Sequence, residues 1–121
     1  RERIISDFYY EWKRSNPTQR LFNIDLKDYI NIRHISIIET VEHAARTYLS
    51  TLAVLQLDSI LTMAKKVRIV NVKPKDKNQN QFEKMIKMEY ELVGIGKVSL
   101  IVGVKRSNKE KVQYCITAIK T

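Results

Sequence analysis

Residues 98–119, VSLIVGVKRSNKEKVQYCITAI, set two apolar, alternating runs around KRSNKEK at 105–111, a loop with four cations and one carboxylate. Successive side chains of a strand point to opposite faces. Alternation therefore gathers Lys97, Ser99, Lys105, Gln113 and Thr117 on one face, and the run KMIKMEYELV at 84–93 adds Lys87 and Glu89 to it. Arg106 lies at the rim, and Gly103, with no side chain, would let a substrate approach the sheet closely. Lysine and arginine neutralise phosphates. The two histidines, His34 in NIRHIS and His43 one helical turn before Arg46, can exchange protons near neutral pH. Cleaving RNA without a metal requires a base for the ribose 2′-hydroxyl, a cation for the crowded phosphate and an acid for the leaving oxygen. His34, His43, Glu89, Lys105 and Thr117 are the candidates for those catalytic roles. Arg33, Arg46, Lys87, Lys97 and Arg106 are the candidates for holding substrate. The competing reading is a solvated antiparallel face, with Glu89 pairing to Lys87 or Lys97 across strands.

Other chemistries find no support. Glycine occurs only at 94, 96 and 103, so there is no glycine-rich phosphate loop. Two histidines nine residues apart and a single cysteine make no zinc pattern, and no cofactor is expected. Cys115 has no disulfide partner and reads as a small buried hydrophobe.

The elements that must position these groups follow from periodicity. ERIISDFYYEWKR at 2–14 repeats Ile4, Ile5, Phe8, Tyr9 and Trp12 at helical spacing, and SNPT at 15–18 ends the helix. LFNIDLKDYINI at 21–32 reads as one short strand or extended segment. Ser36 followed by Glu39 resembles a capping box. It opens a helical pattern running to about Lys65, with Ile37, Val41, Ala44, Tyr48, Leu52 and Leu55 on its apolar stripe. Asp58 offers an alternative cap for a second helix from Ser59. Glu39, Glu42, His43, Arg46 and Ser50 fall on the polar side. Strands are expected at 67–72, 84–93, 97–105 and 111–119, with PKDKNQNQ at 74–81 as a polar loop. Val112, Tyr114, Ile116 and Ala118 should face the core. The expected fold is α+β, with N-terminal helices packed on one face of a roughly four-stranded antiparallel β-meander.

The chain has 121 residues, enough for one domain with a core of its own, and no apolar run long enough to span a membrane as a helix. It begins with Arg1 and reads as the C-terminal part of a larger protein. Twenty-two Lys and Arg against 13 Asp and Glu give a formal charge of +9, which favours polyanionic partners: nucleic acid, acidic proteins or anionic membranes.

The helices followed by MIKMEYELVGIGKVSLIVGVKRS and VQYCIT, with a basic open sheet face, resemble the barnase, EndoU, colicin and RelE-like ribonucleases in architecture. That resemblance implies a metal-independent endoribonuclease, a toxin or effector domain of a secreted, phage-encoded or mobile-element protein acting in the cytoplasm. It further implies RNA, tRNA included, as substrate and an acidic immunity or antitoxin protein as partner, with no membrane. Two other functions fit the same residues. One is a non-catalytic basic module binding nucleic acid or an acidic protein, and the other is a structural domain of a phage or mobile-element protein.

Overall fold

The computed structural model describes residues 1–121. In chain order the elements are α1 (Glu2–Ser15), β1 (Arg20–Asn23), β2 (Asp28–Asn31), α2 (His34–Ala44), α3 (Tyr48–Val54), α4 (Leu57–Met63), β3 (Lys65–Val70), β4 (Phe82–Leu92), β5 (Gly96–Lys105) and β6 (Lys111–Ile119). No helix is long and apolar enough to cross a membrane.

α1 buries Ile5, Tyr9 and Trp12, the stripe that the spacing predicts. Its end is fixed by Asn16, whose side-chain amide donates to the Trp12 carbonyl at 2.9 Å, and by Pro17, which has no N–H to continue the ladder. The segment expected as one strand is an antiparallel hairpin, β1 with β2. Asn23 closes it. This side chain is fully buried; it donates to the carbonyls of Leu61 (2.8 Å) and Ala64 (3.0 Å) and accepts the Leu26 N–H at 2.8 Å. Asp25, in the same turn, accepts the Lys66 N–H at 2.8 Å. The hairpin turn is thus fastened to the junction of α4 and β3.

The long helical pattern is divided into three helices. Thirty residues in one helix would span about 45 Å, more than the roughly 36 Å of the longest strand. The breaks after Ala44 and Val54 let the helices wrap the sheet instead. Thr47 caps α3 by accepting the Ser50 N–H at 3.1 Å, and the Thr51 hydroxyl lies 2.9 Å from the Thr47 carbonyl and 3.1 Å from that of Ala44. Capping and spacing misplace several details. α2 starts at His34, with the Arg33 N–H donating to Ser36 Oγ at 3.0 Å, so Ser36 lies inside the first turn rather than capping it. α4 starts at Leu57, and Asp58 in its first turn accepts the Trp12 indole N–H at 2.6 Å. Tyr48 and Leu55, expected on the apolar stripe, are exposed at the breaks, whereas Glu39 and Ser50, expected on the polar side, are buried.

The class is α+β as expected, but the sheet has six strands, not four, in the order β1-β2-β6-β5-β4-β3. β3 to β6 form the antiparallel meander. The additional hairpin joins through a parallel pairing of Asn31 with Val112. Helices cover one face, closing over Ile86, Met88, Val98, Leu100, Val102, Ile116 and Ala118. Where β6 runs past β2, α3 covers its edge: Ser50 Oγ accepts the Ala118 N–H at 2.8 Å.

A bulge in β6 alters parity. Ile101 pairs with Cys115, but Val102 pairs with Gln113, leaving Tyr114 as the extra residue. Cys115, Thr117 and Ile119 face away from the helices as expected; Gln113 does not. It is fully buried beneath them, accepting the Tyr9 hydroxyl at 2.5 Å and donating to Thr40 Oγ1 at 2.7 Å. Val112 and Tyr114, expected in the core under the helices, turn to the outer face and pack with Phe82 and Met85 in a second, smaller cluster.

Candidate functional site

Pairing register arranges the uncovered outer face in rows across the meander. Arg68, Lys87, Ile101 and Cys115 form one row; Lys65, Glu89, Ser99 and Thr117 the next; Glu91, Lys97 and Ile119 the last. Lys87, Glu89, Lys97, Ser99 and Thr117 therefore share one side, as alternation predicts. Glu89 is shared between two cations, with Lys87 Nζ at 3.7 Å and Lys97 Nζ at 3.8 Å. Lys65 and Arg68 add two cations that make no ion pair of their own. The face carries four cations, two carboxylates, and apolar Ile101 and Ile119 between them.

Lys105 has the same parity but is not part of this surface. It lies four positions along β5 from Ile101 in the nearest row, about 13 Å. The interval is filled by the small cluster. A Cβ at Gly103 would lie 2.6–2.8 Å from three ring carbons of Phe82, so the space that an unsubstituted Gly103 offers is occupied by an aromatic ring, not open to substrate. Phe82 packs edge-on against Tyr114, their centroids 6.1 Å apart. Beyond it Lys105 lies 3.5 Å from Glu110, which also takes a two-pronged contact from Arg33. The hydrogen bond from Arg33 holds the Glu110 carboxyl below its ordinary range. Lys111 does the same to Asp28 at 2.7 Å. These pairs tie the β1–β2 hairpin and the start of α2 to the closing hairpin. Arg106 is exposed, with its Nε donating to the Asn80 carbonyl at 3.3 Å.

The two histidines do not converge. Nine residues along one helix place His34 and His43 about 13 Å apart and on opposite sides. His34 is exposed at the first turn of α2. His43 lies 3.4 Å from Glu39, and Arg46 lies 3.5 Å from exposed Glu42. Glu39 is nearly inaccessible and also accepts the Asn78 amide at 2.8 Å.

Sequence reasoning misses the cleft of about 390 Å³ beside this pair, floored by Met85, Ile101 and Cys115 and rimmed by Tyr114, Gln79 and Lys73. Burial first, then the adjacent Glu39, raises the Tyr114 hydroxyl above its ordinary range. The same two causes push the Cys115 thiol up to about 12, which leaves it protonated and a poor nucleophile. The i, i+4 spacing of Glu39 and His43 is a signal in the sequence. The arrival of Tyr114 depends on the bulge, which has none. Glu39, Glu42 and His43 bring one ligand atom each within 4.8 Å of one another. The Asn78 hydrogen bond and the contacts with His43 and Arg46 already occupy the two carboxylates, so the trio is a side-chain network along α2.

Of the proposed catalytic residues, Glu89 and Thr117 share a row two strand spacings apart, roughly 10 Å. His34, His43 and Lys105 lie elsewhere. Comparison of the chain with protein-family models, curated proteins and solved structures finds no match.

Proposed function

We propose that the protein is a non-catalytic docking module whose uncovered sheet face receives an acidic protein partner. The observation that carries this reading is the row arrangement: Lys65, Arg68, Lys87 and Lys97 spread over the three rows of β3, β4 and β5, with Glu89 and Glu91 as the carboxylates of those rows. Complementary potentials steer association and fix register. Acid–base cleavage by the residues that the sequence singles out is disfavoured by their dispersal, because a general base must reach the proton it takes within hydrogen-bonding distance.

Protein is a better occupant than RNA on two counts. No aromatic ring is free on it for base stacking, since outward-facing Phe82 and Tyr114 are buried. Ile101 and Ile119 interleave with the cations, and an apolar–acidic surface matches that mixture while a phosphate chain does not.

The test is binding of a random glutamate–tyrosine copolymer and of polyuridylate at equal salt, about 0.15 M, followed by fluorescence anisotropy. The copolymer should bind more tightly, and the double variant Lys87→Glu/Lys97→Glu should lose at least about tenfold, equivalent to about 1.4 kcal/mol, with its circular dichroism unchanged. Tighter binding of polyuridylate, or undiminished copolymer binding by the variant, overturns the reading. So do discrete RNA fragments formed in EDTA that disappear on His43→Ala.

A further inference from the structure

The outer face is small. Four strands at about 4.8 Å and three rows at about 6.8 Å give a footprint on the order of 400 Å², against roughly 800 Å² per partner in a standard protein interface. A partner seated there must extend past the sheet, and β3 lies at the boundary. It is the terminal strand, and no element of the chain pairs with its outer side.

Protected edges are short, charged or bulged. β3 has a bulge at Val67, and its Lys66 N–H is covered by Asp25. From Val67 onward the protection stops. Val67 and Ile69 are exposed at 48% and 45% on either side of Arg68, where an edge made only to repel other strands would carry charge. The stretch from Lys65 to Lys77 contains six cations and one acid, Asp76. Register puts Lys65 and Arg68 on the outer side of this edge, and Lys66 and Ile69 on the other. An added strand along Val67–Val70 would meet Arg68 on its outer face and, at the start of the segment, Lys66 on the other.

Resting on the docking function above, we infer that the acidic partner supplies an extended segment that adds to the sheet as a seventh strand along Val67–Val70. Main-chain hydrogen bonds give such contacts affinity, and alternate side chains give them specificity. The matching segment alternates carboxylates with β-branched residues. A second copy of this chain fits poorly, because pairing β3 with itself opposes cation to cation.

The experiment uses the intact chain and two synthetic ten-residue peptides alternating glutamate with valine or threonine. One is unmodified, and the other is N-methylated at two adjacent central residues so that neither edge can pair. The unmodified peptide should bind at least tenfold more tightly and slow amide exchange at Val67–Val70 by tenfold or more. Equal binding of both peptides with unchanged β3 exchange overturns strand addition while leaving acidic docking intact. Failure of both peptides and of the glutamate–tyrosine copolymer overturns the docking function itself. Dimers in sedimentation, with β3 amides protected before peptide is added, overturn the inference in favour of self-pairing.

Discussion

Replacing Gly103 with alanine tests how the outer face is divided. The new methyl carbon would lie 2.6, 2.7 and 2.8 Å from Cδ1, Cε1 and Cγ of Phe82, so the ring must retreat by almost an ångström. It has little room to do so. Phe82 is fully buried, edge-on to Tyr114, and its N–H donates to the Gln79 carbonyl at 3.0 Å. Overpacking of this kind costs about 1–3 kcal/mol. For a chain of this length that is a fall in melting temperature of about 4 °C per kcal/mol, hence roughly 4–12 °C. Urea unfolding followed by fluorescence of Trp12 measures it directly. The cost should shrink to below about 0.5 kcal/mol when Gly103→Ala is made in a Phe82→Leu background, where the branched chain leaves space. An alanine variant as stable as the parent, or one whose cost is the same in both backgrounds, refutes the placement of the ring. The outer face would then run unbroken to Lys105, and an extended polyanion could lie along all of it.

Asn23→Ala removes the donor to Leu61 and Ala64 and the acceptor for Leu26 from a fully buried site. It should cost about 2–3 kcal/mol, read from urea titration, and should speed amide exchange in β1 and β2 more than in β5. Acid titration follows from Asp28 and Glu110, both held below ordinary carboxylate values by Lys111 and Arg33. A depressed folded-state value means stability that is complete above the ordinary range, near 4.5 for Glu110, and lost as pH falls through and below it. Urea midpoints should therefore drop on that side. Lys111→Met and Arg33→Met should each make the acid limb shallower; an unchanged limb in both would mean that these pairs are not formed in solution.

Periodicity reads most of the framework. The stripe of α1 and strands β4, β5 and β6 lie close to where the alternation puts them, because an interior that excludes water enforces period 3.6 or 2 on the residues facing it; β3, which buries none of its residues, starts and ends two residues before the expected 67–72. The outer parity of Lys87, Glu89, Lys97 and Thr117 follows for the same reason. What fails is set by non-local geometry. Nothing in KVQYCITAI marks Tyr114 as an inserted residue, so Gln113 reads as solvent-facing until the pairing of Val102 is known. Ser50 reads as external and Ser36 as a cap, and Thr51 carries no signal of burial. They are buried because their hydroxyls meet backbone groups at the ends and edges of neighbouring elements. Asn23 is the clearest case: its partners are about forty residues downstream, beyond the reach of any local pattern.

The pairing of Asn31 with Val112 has a consequence for biosynthesis. Val112 lies about eighty residues after Asn31, so the early hairpin has no sheet to join until β6 has left the ribosome. During that interval Ile30 and Ile32, fully buried in the finished domain, are available to chaperones. Completion of the domain then waits on long-range closure rather than on the rapid zipping of the β5–β6 hairpin.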